Sequence, residues 1–484
     1  MKFFLISIGL LFGTVCAAQS LKQNIEKAYN NFKQDEQLRY GISSLTVLNS
    51  QTGEIVFSDN DRVGLAPAST LKVITAASVL AMLGPNFKWT TTLGYSGQLS
   101  MQGILTGNIV ITGGGDPTLG SSRFPMADKK ILLEKWIAVI QQAGIKSING
   151  RVLVDDRLFG TQTLPNGWIW QDMGNYFGAG SSAVSWNDNQ FEITFQPADK
   201  IGNAAKVTSS DPKVPYLKII NEVLTGAPGS GDKVYAYAAP YADVIYIRGT
   251  YGIDLKKTIS IALPDPAFEI AFCLQESLMQ KGIVVTNSPS TARRLTIDSL
   301  SLANVKLSQF DQDLLYGHLK TLYKHSSPSI VQVCHTFNQK SINLYGEVFL
   351  KTLAWKQAKP ITTDEGVKIV KAYWSDKLGL DIRTLNMIDG SGLSPATHVT
   401  SHSIAAILSA SKKETWFSSF YNSLPSNNNM TMKSGYINDV LAYAGYQKTQ
   451  SGMELSFSFI VNNYTGSTTI IKQKMFAVLN KLKK

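Results

Sequence analysis

The sequence is poor in the features that mark several large protein classes. It holds three cysteines in 484 residues, and Cys16 lies in a leader-like N-terminus. The remaining Cys273 and Cys334 are too few for a disulfide framework; one bridge and two buried thiols both fit the count. After the first 18 residues no stretch reaches the roughly 18 apolar residues that cross a bilayer, so no stable membrane span is expected. The five histidines (His318, His325, His335, His398 and His402) lack metal-ligand spacing, and His-Glu-x-x-His is absent, so neither metal nor cofactor is expected. Gly113-Gly114-Gly115 lacks the Gly-Lys-Ser/Thr of a phosphate loop, and Gly390-Ser391-Gly392 is not the Gly-x-Ser-x-Gly of a nucleophile elbow. Basic residues outnumber acidic ones by 46 to 35, a net +11, but without a basic run or basic-aromatic block. That favours anionic partners mildly and argues against nucleic acid.

What is present is an exported globular chain. Met1-Lys2 is a basic n-region, Phe3 to Val15 an apolar h-region, and Cys16-Ala17-Ala18 supplies small residues before Gln19, so residues 1–18 read as a signal peptide. Cys16 near the cut raises a lipid anchor, for which Gly13-Thr14-Val15 is a poor attachment box. The expected location is the periplasm or cell envelope. With 44% hydrophobic residues the chain can build a large core, which excludes wholesale disorder.

Hydrophobic periodicity organises the mature chain. Leu21, Ile25, Ala28 and Phe32 share a helical face, and Ile42–Leu48 and Ile55–Phe57 flank a turn at Ser50-Gln51-Thr52-Gly53. Pro67 precedes a nearly all-apolar helix from Leu71 to Leu83, which such a composition buries in a domain centre. Strands from Trp89 to Ile111, a helix carrying Leu132, Leu133, Trp136, Ile137 and Ile140, and a strand from Ile148 to Val154 read as an αβ lobe over about 90–165. Gly, Pro, Asn and short strands (Phe191–Phe195, Val244–Ile247) mark a β-rich lobe over about 166–265. Towards the C-terminus, Val440–Tyr446 and Met453–Val461 form a hairpin with Met453, Leu455, Phe457, Phe459 and Val461 on one face. The last helix, with Ile471, Met475, Val478, Leu479 and Leu482 together, packs on that sheet or, with its terminal lysines, lies on a membrane; at about three turns the packed form is favoured.

Three motifs carry chemistry. In Ser69-Thr70-Leu71-Lys72 the i, i+3 spacing puts a hydroxyl and an amine on one helix face. A lysine in apolar surroundings can act as a base, and the free N–H groups of a helix start can hold an oxyanion. Alone, Ser-x-x-Lys arises by chance about three times in a chain of this size. Ser341-Ile342-Asn343, after a helical stretch, offers a hydroxyl to relay a proton and an amide to hold a substrate amide, or else a helix cap. Lys433-Ser434-Gly435, at an edge-strand position, can hold a carboxylate while glycine admits the substrate backbone; a solvated strand start is the plainer reading.

In this order the three motifs match the penicillin-recognising serine-enzyme set. The chain resembles the D-alanyl-D-alanine carboxypeptidase/endopeptidases of the penicillin-binding protein 4 type. Further stretches similar to that family are Pro67–Lys72, Gly115-Asp116-Pro117-Thr118-Leu119 and Asp389-Gly390-Ser391-Gly392-Leu393-Ser394, and the 341 − 69 = 272 positions between the first two motifs leave room for its large insertion. Asp116 itself reads more simply as a turn former than as an acid.

The resemblance implies an α/β (α+β) fold: a serine transpeptidase-like catalytic domain, with an antiparallel sheet flanked by helices and a helical subdomain, from 19–86 and 301–484, and an insertion over 87–300. It implies Ser69 as nucleophile, Lys72 as its base, Ser341 as proton relay and Asn343 as holder of the substrate amide. Lys433 and Ser434 then bind the terminal carboxylate, Gly435 lets the strand approach the substrate backbone, and the backbone N–H groups of Ser69 and Tyr436 hold the oxyanion. Ser434 stands where Thr is usual and Tyr436 where a small hydroxyl residue is common; each keeps the needed group, so these departures touch substrate preference. The expected partners are peptidoglycan stem peptides and β-lactam antibiotics, with a β-lactamase or esterase of the same fold, or a non-catalytic peptidoglycan binder, as the rival readings. The balance of carboxypeptidase and endopeptidase activity, the cross-link chemistry and the oligomeric state are not encoded in these motifs.

Overall fold

The computed structural model describes residues 19–298 and 319–484. The expected signal peptide, residues 1–18, and His318 lie outside the described residues. The chain divides into two compact units, one of Met1–Pro85, Ile330–Ile342 and Thr363–Lys484, the other of Asn86–Ser329 and Asn343–Thr362.

The first unit is built on a six-stranded antiparallel sheet in the order Ser426–Asn427, Met430–Ile437, Val440–Lys448, Glu454–Asn462, Ile42–Asn49, Ile55–Asp59. Alternation sorts its side chains. Leu455, Phe457, Phe459 and Val461 join Leu45, Val47, Met432 and Tyr443 on one face, covered by Leu21, Ile25 and Phe32 of the helix at 19–33 and by Ile471, Met475 and Val478 of Thr468–Leu479. The C-terminal helix is thus packed on the sheet.

The other face is buried too, although its side chains are small and polar. Ser44 and Thr46 exchange hydrogen bonds with Ser401 Oγ at 2.6 and 2.7 Å, and Ser456 Oγ donates to the Ala405 carbonyl at 3.2 Å. Short hydroxyl side chains let the helix Ser401–Ser411 lie close on the strands, with Ser44, Thr46 and Ser456 each hydrogen-bonded across the contact. Behind it the helix Lys72–Leu83, polar only at Lys72, Thr75 and Ser78, packs among Ile330–Lys340, Thr363–Leu378 and Ser401–Ser411.

The second unit holds a seven-stranded mixed sheet. Thr90–Leu99 and Ile104–Thr112 form a hairpin, and the latter runs parallel to Ser147–Asn149 and Val152–Asp155. Helices Lys129–Gln142 and Pro266–Gln280 belong to this lobe. The expected strand Ile148–Val154 breaks at Gly150, where a Cβ would sit 1.8 Å from the Gly107 carbonyl oxygen. Two three-stranded sheets, Lys218–Gly226/Val244–Gly252/Asp232–Tyr237 and Ile259–Ala262/Gln190–Gln196/Lys206–Asp211, share a core of Phe191, Ile193, Val223, Ile245, Ile247 and Ile261. This is the β-rich lobe. Cys273 and Cys334 are free thiols.

Candidate active site

The start of the buried helix is a 3-10 turn, Ala68–Leu71, that passes into Lys72–Leu83. Ala68 enters it at φ 46°, a left-handed conformation that costs a non-glycine residue about 1–3 kcal/mol and that clusters at functional sites. Ser69 follows, half-buried among fully buried neighbours. Its Oγ accepts a hydrogen bond from Lys72 Nζ at 2.8 Å. Lys72 is completely buried, lies 5.6 Å from the Phe337 ring centroid, and also donates to the Ser391 carbonyl at 2.7 Å.

That carbonyl is held by a loop folded around one carboxylate. Asp389, fully buried, accepts from Ser391 Oγ, Gly392 N, Ser394 N and Thr397 Oγ1 at 2.9–3.1 Å. Thr75 Oγ1 ties the Gly390 carbonyl to the nucleophile helix at 2.7 Å. Gly392 takes φ 76° and approaches so closely that a Cβ would meet the Ala68 carbonyl oxygen at 1.9 Å. The family-like stretch Asp389–Ser394 is visible in the sequence; its task of aiming a carbonyl at Lys72 is not, because no local pattern encodes that contact.

Lys433, Ser434 and Gly435 lie on Met430–Ile437 beyond its short pairing with Ser426–Asn427, so among the described residues no strand pairs with the motif on that side, in line with the expected edge position. A Cβ on Gly435 would stand 2.6–2.8 Å from Pro67 O, Ser69 N and Thr70 N; the strand runs directly along the backbone that starts the nucleophile helix. Tyr436 is 55% exposed. Lys433 is buried, and its Nζ donates to Ser341 Oγ at 3.0 Å and to the Ser434 carbonyl at 2.9 Å. Burial pulls its pKa down to about 8. Ser341, just past the helix Ile330–Lys340, sits at φ 57°, a second strained residue in the site.

The first unit therefore brings Ser69, Lys72, Ser341, Lys433 and Gly435 together. Asn343 begins the helix Asn343–Lys356 of the second unit, where its Nδ2 donates to the Phe177 carbonyl at 2.8 Å. Asp116 forms a turn, with Oδ1 accepting from Thr118 N and Oγ1 at 2.8 and 2.7 Å. Among the described residues no group of three or more His, Cys, Asp and Glu is arranged to hold a metal, and no helix is long and apolar enough to cross a membrane.

Residues 21–427 match the profile of the D-Ala-D-Ala carboxypeptidase 3 (S13) family. The chain belongs to that family. It is a serine-type D-Ala-D-Ala carboxypeptidase by family. This S13 chain is 24% identical over 473 residues to a D-alanyl-D-alanine carboxypeptidase of Actinomadura sp., covering 92% of this chain and 82% of the relative. It is also 24% identical over 446 residues to the D-alanyl-D-alanine carboxypeptidase DacB of Haemophilus influenzae, covering 86% of this chain and 84% of that one. The crystal structure of penicillin binding protein 4 from H. influenzae superposes with a TM-score of 0.74 at 20% identity, over 94% of this chain and 99% of the other. The S13 chain thus has the penicillin-binding protein 4 fold.

Proposed function

We propose that this S13 hydrolase works through Ser69, and that the 2.8 Å contact between Lys72 Nζ and Ser69 Oγ carries the reading. Ser69 passes its proton to Lys72 and attacks the carbonyl of the penultimate D-Ala. The N–H groups of Ser69 and Tyr436 hold the oxyanion, which the close passage of Gly435 along Ser69 N supports. Ser341 accepts from Lys433 and so has its own hydroxyl proton to give to the departing amine. Lys433 and Ser434 hold the terminal carboxylate, and Asn343 orients the substrate amide. Water then hydrolyses the acyl-enzyme.

β-Lactams mimic this substrate, and the superposable H. influenzae protein was also crystallised with one, at a TM-score of 0.70. The protein works outside the inner membrane, in the periplasm or at the cell envelope, in keeping with the N-terminal leader. The test is intact mass after incubation with penicillin, for wild type and Ser69→Ala. A stable adduct on the wild type alone supports the assignment. Penicillin consumed without an adduct points to a β-lactamase; penicillin left intact points to a non-catalytic cell-wall binder.

A further inference from the structure

The β-rich lobe carries an aromatic surface that the chemistry at Ser69 does not use. Val234 and Ala236 of Asp232–Tyr237, and Ile245 and Ile247 of Val244–Gly252, point into the core. Alternation therefore turns Tyr235, Tyr237, Tyr246 and Arg248 outward. Register places Tyr237 opposite Tyr246 and Tyr235 opposite Arg248. The Arg248 guanidinium lies 5.5 Å from the Tyr237 ring centroid and 5.6 Å from that of Tyr246. Trp170 extends the row, its ring centroid 6.0 Å from that of Tyr237. Trp170 is 54% exposed, Tyr246 42% and Tyr235 37%, unusual values for large rings clustered on one face.

We propose that this face binds the glycan strand of peptidoglycan, an inference that rests on the function proposed above. Three observations select that occupant. Rings with polar tips, exposed side by side, suit pyranose rings, which offer an apolar C–H face and hydroxyl edges. An apolar protein partner would instead strand the tyrosine hydroxyls and the Glu222–Arg248 ion pair, 2.5 Å long and exposed, in a dry interface. The outward charges are Lys218, Lys233 and Arg248 against Glu222, 3 − 1 = +2, which complements the carboxylates of the stem peptides. A hydrogen-bonded path through the lobe also leads from this face to a candidate site residue. Asn175 Oδ1 accepts from Ala236 N at 3.1 Å, pinning the segment after Trp170 to the strand of Tyr237, and two residues on the Phe177 carbonyl takes the Asn343 amide at 2.8 Å. A stem peptide is covalently joined to its glycan, so a strand held on the rings keeps its peptides at high effective concentration around the protein.

The test compares wild type with Trp170→Ala and Tyr246→Ser, both exposed positions, in the full-length protein. Two readouts are taken: D-Ala release from intact sacculi and from a soluble D-Ala-D-Ala tripeptide, and co-sedimentation with peptide-free glycan strands. The expected result is a KM for sacculi raised about tenfold and weakened co-sedimentation, with tripeptide turnover unchanged. Unchanged behaviour on sacculi and glycan overturns the proposal, as does equal loss on sacculi and tripeptide in both variants. Binding of a single-stranded oligonucleotide in place of glycan, or concentration-dependent dimerisation lost in the variants, assigns the face to another partner. If the wild type releases no D-Ala from either substrate, the proposed function fails, while co-sedimentation still decides the glycan surface.

Discussion

Lys72 Nζ reaches the backbone carbonyl of Ser391, 319 residues further along the chain, at 2.7 Å and Ser69 Oγ at 2.8 Å, so one amine links the nucleophile to a distant loop. A flexible lysine gains direction from a second fixed acceptor. The loop can supply one only if it is itself rigid, and its rigidity comes from the four hydrogen bonds received by Asp389.

Replacing Asp389 by Ala leaves those donors without their acceptor in a buried setting, at about 1–3 kcal/mol for each group that finds no substitute. The expected outcome is a stability loss of about 2–4 kcal/mol by denaturant titration and penicillin acylation slowed at least tenfold. Acylation at the wild-type rate would show that the Ser391 carbonyl does not direct Lys72.

Gly435→Ala tests the close passage of the third motif. Its Cβ would stand 2.6 Å from Pro67 O and 2.7 Å from Ser69 N, both backbone atoms that cannot rotate away. The strand must therefore retreat from the nucleophile turn. A displacement of about 1 Å at a reacting centre can cost about a hundredfold in rate. Acylation by penicillin should fall by that order while circular dichroism stays native.

Much of this was legible in the sequence because local chemistry encoded it. The i, i+3 spacing of Ser69 and Lys72, the alternation of Leu455, Phe457, Phe459 and Val461, and the stripe of Ile471, Met475 and Val478 each fix a contact within a few residues. The rest depends on distant parts of the chain meeting. Nothing in the residue types of Ser456 and Ser458 marks a buried face, yet they are fully buried on the side where the helix Ser401–Ser411 packs. The role of Asp389 and the left-handed backbone of Ala68 and Ser341 have no signature in residue type, since neither Ala nor Ser favours positive φ.

Ser341 stores strain that substitution can release. At φ 57° a glycine is more comfortable than a serine, by about 1 kcal/mol once the added freedom of the unfolded chain is counted. Ser341→Gly should therefore keep or slightly raise the melting temperature while lowering D-Ala release, since the hydroxyl that accepts from Lys433 is gone. Ser341→Ala loses the same hydroxyl without relaxing the backbone. The two variants should match in activity and differ in stability; matched stability would mean that the conformation costs nothing.

Lys433 should set the alkaline limit of activity. Burial lowers its pKa from the ordinary 10.5 to about 8, so the charge that holds the substrate carboxylate disappears as pH rises through about 8. KM for a D-Ala-D-Ala peptide should climb above that pH, and Lys433→Arg, which stays charged, should flatten the rise if its longer fork is accommodated. Stability moves the opposite way. Between about pH 8 and 10.5 the unfolded chain holds the proton that the folded chain has released, so this group's contribution to folding stability rises with pH, at up to about 1.4 kcal/mol per unit. Weakening substrate binding without loss of stability across that window separates deprotonation of Lys433 from alkaline unfolding. A KM that stays level from pH 7 to 10 would remove Lys433 from carboxylate binding.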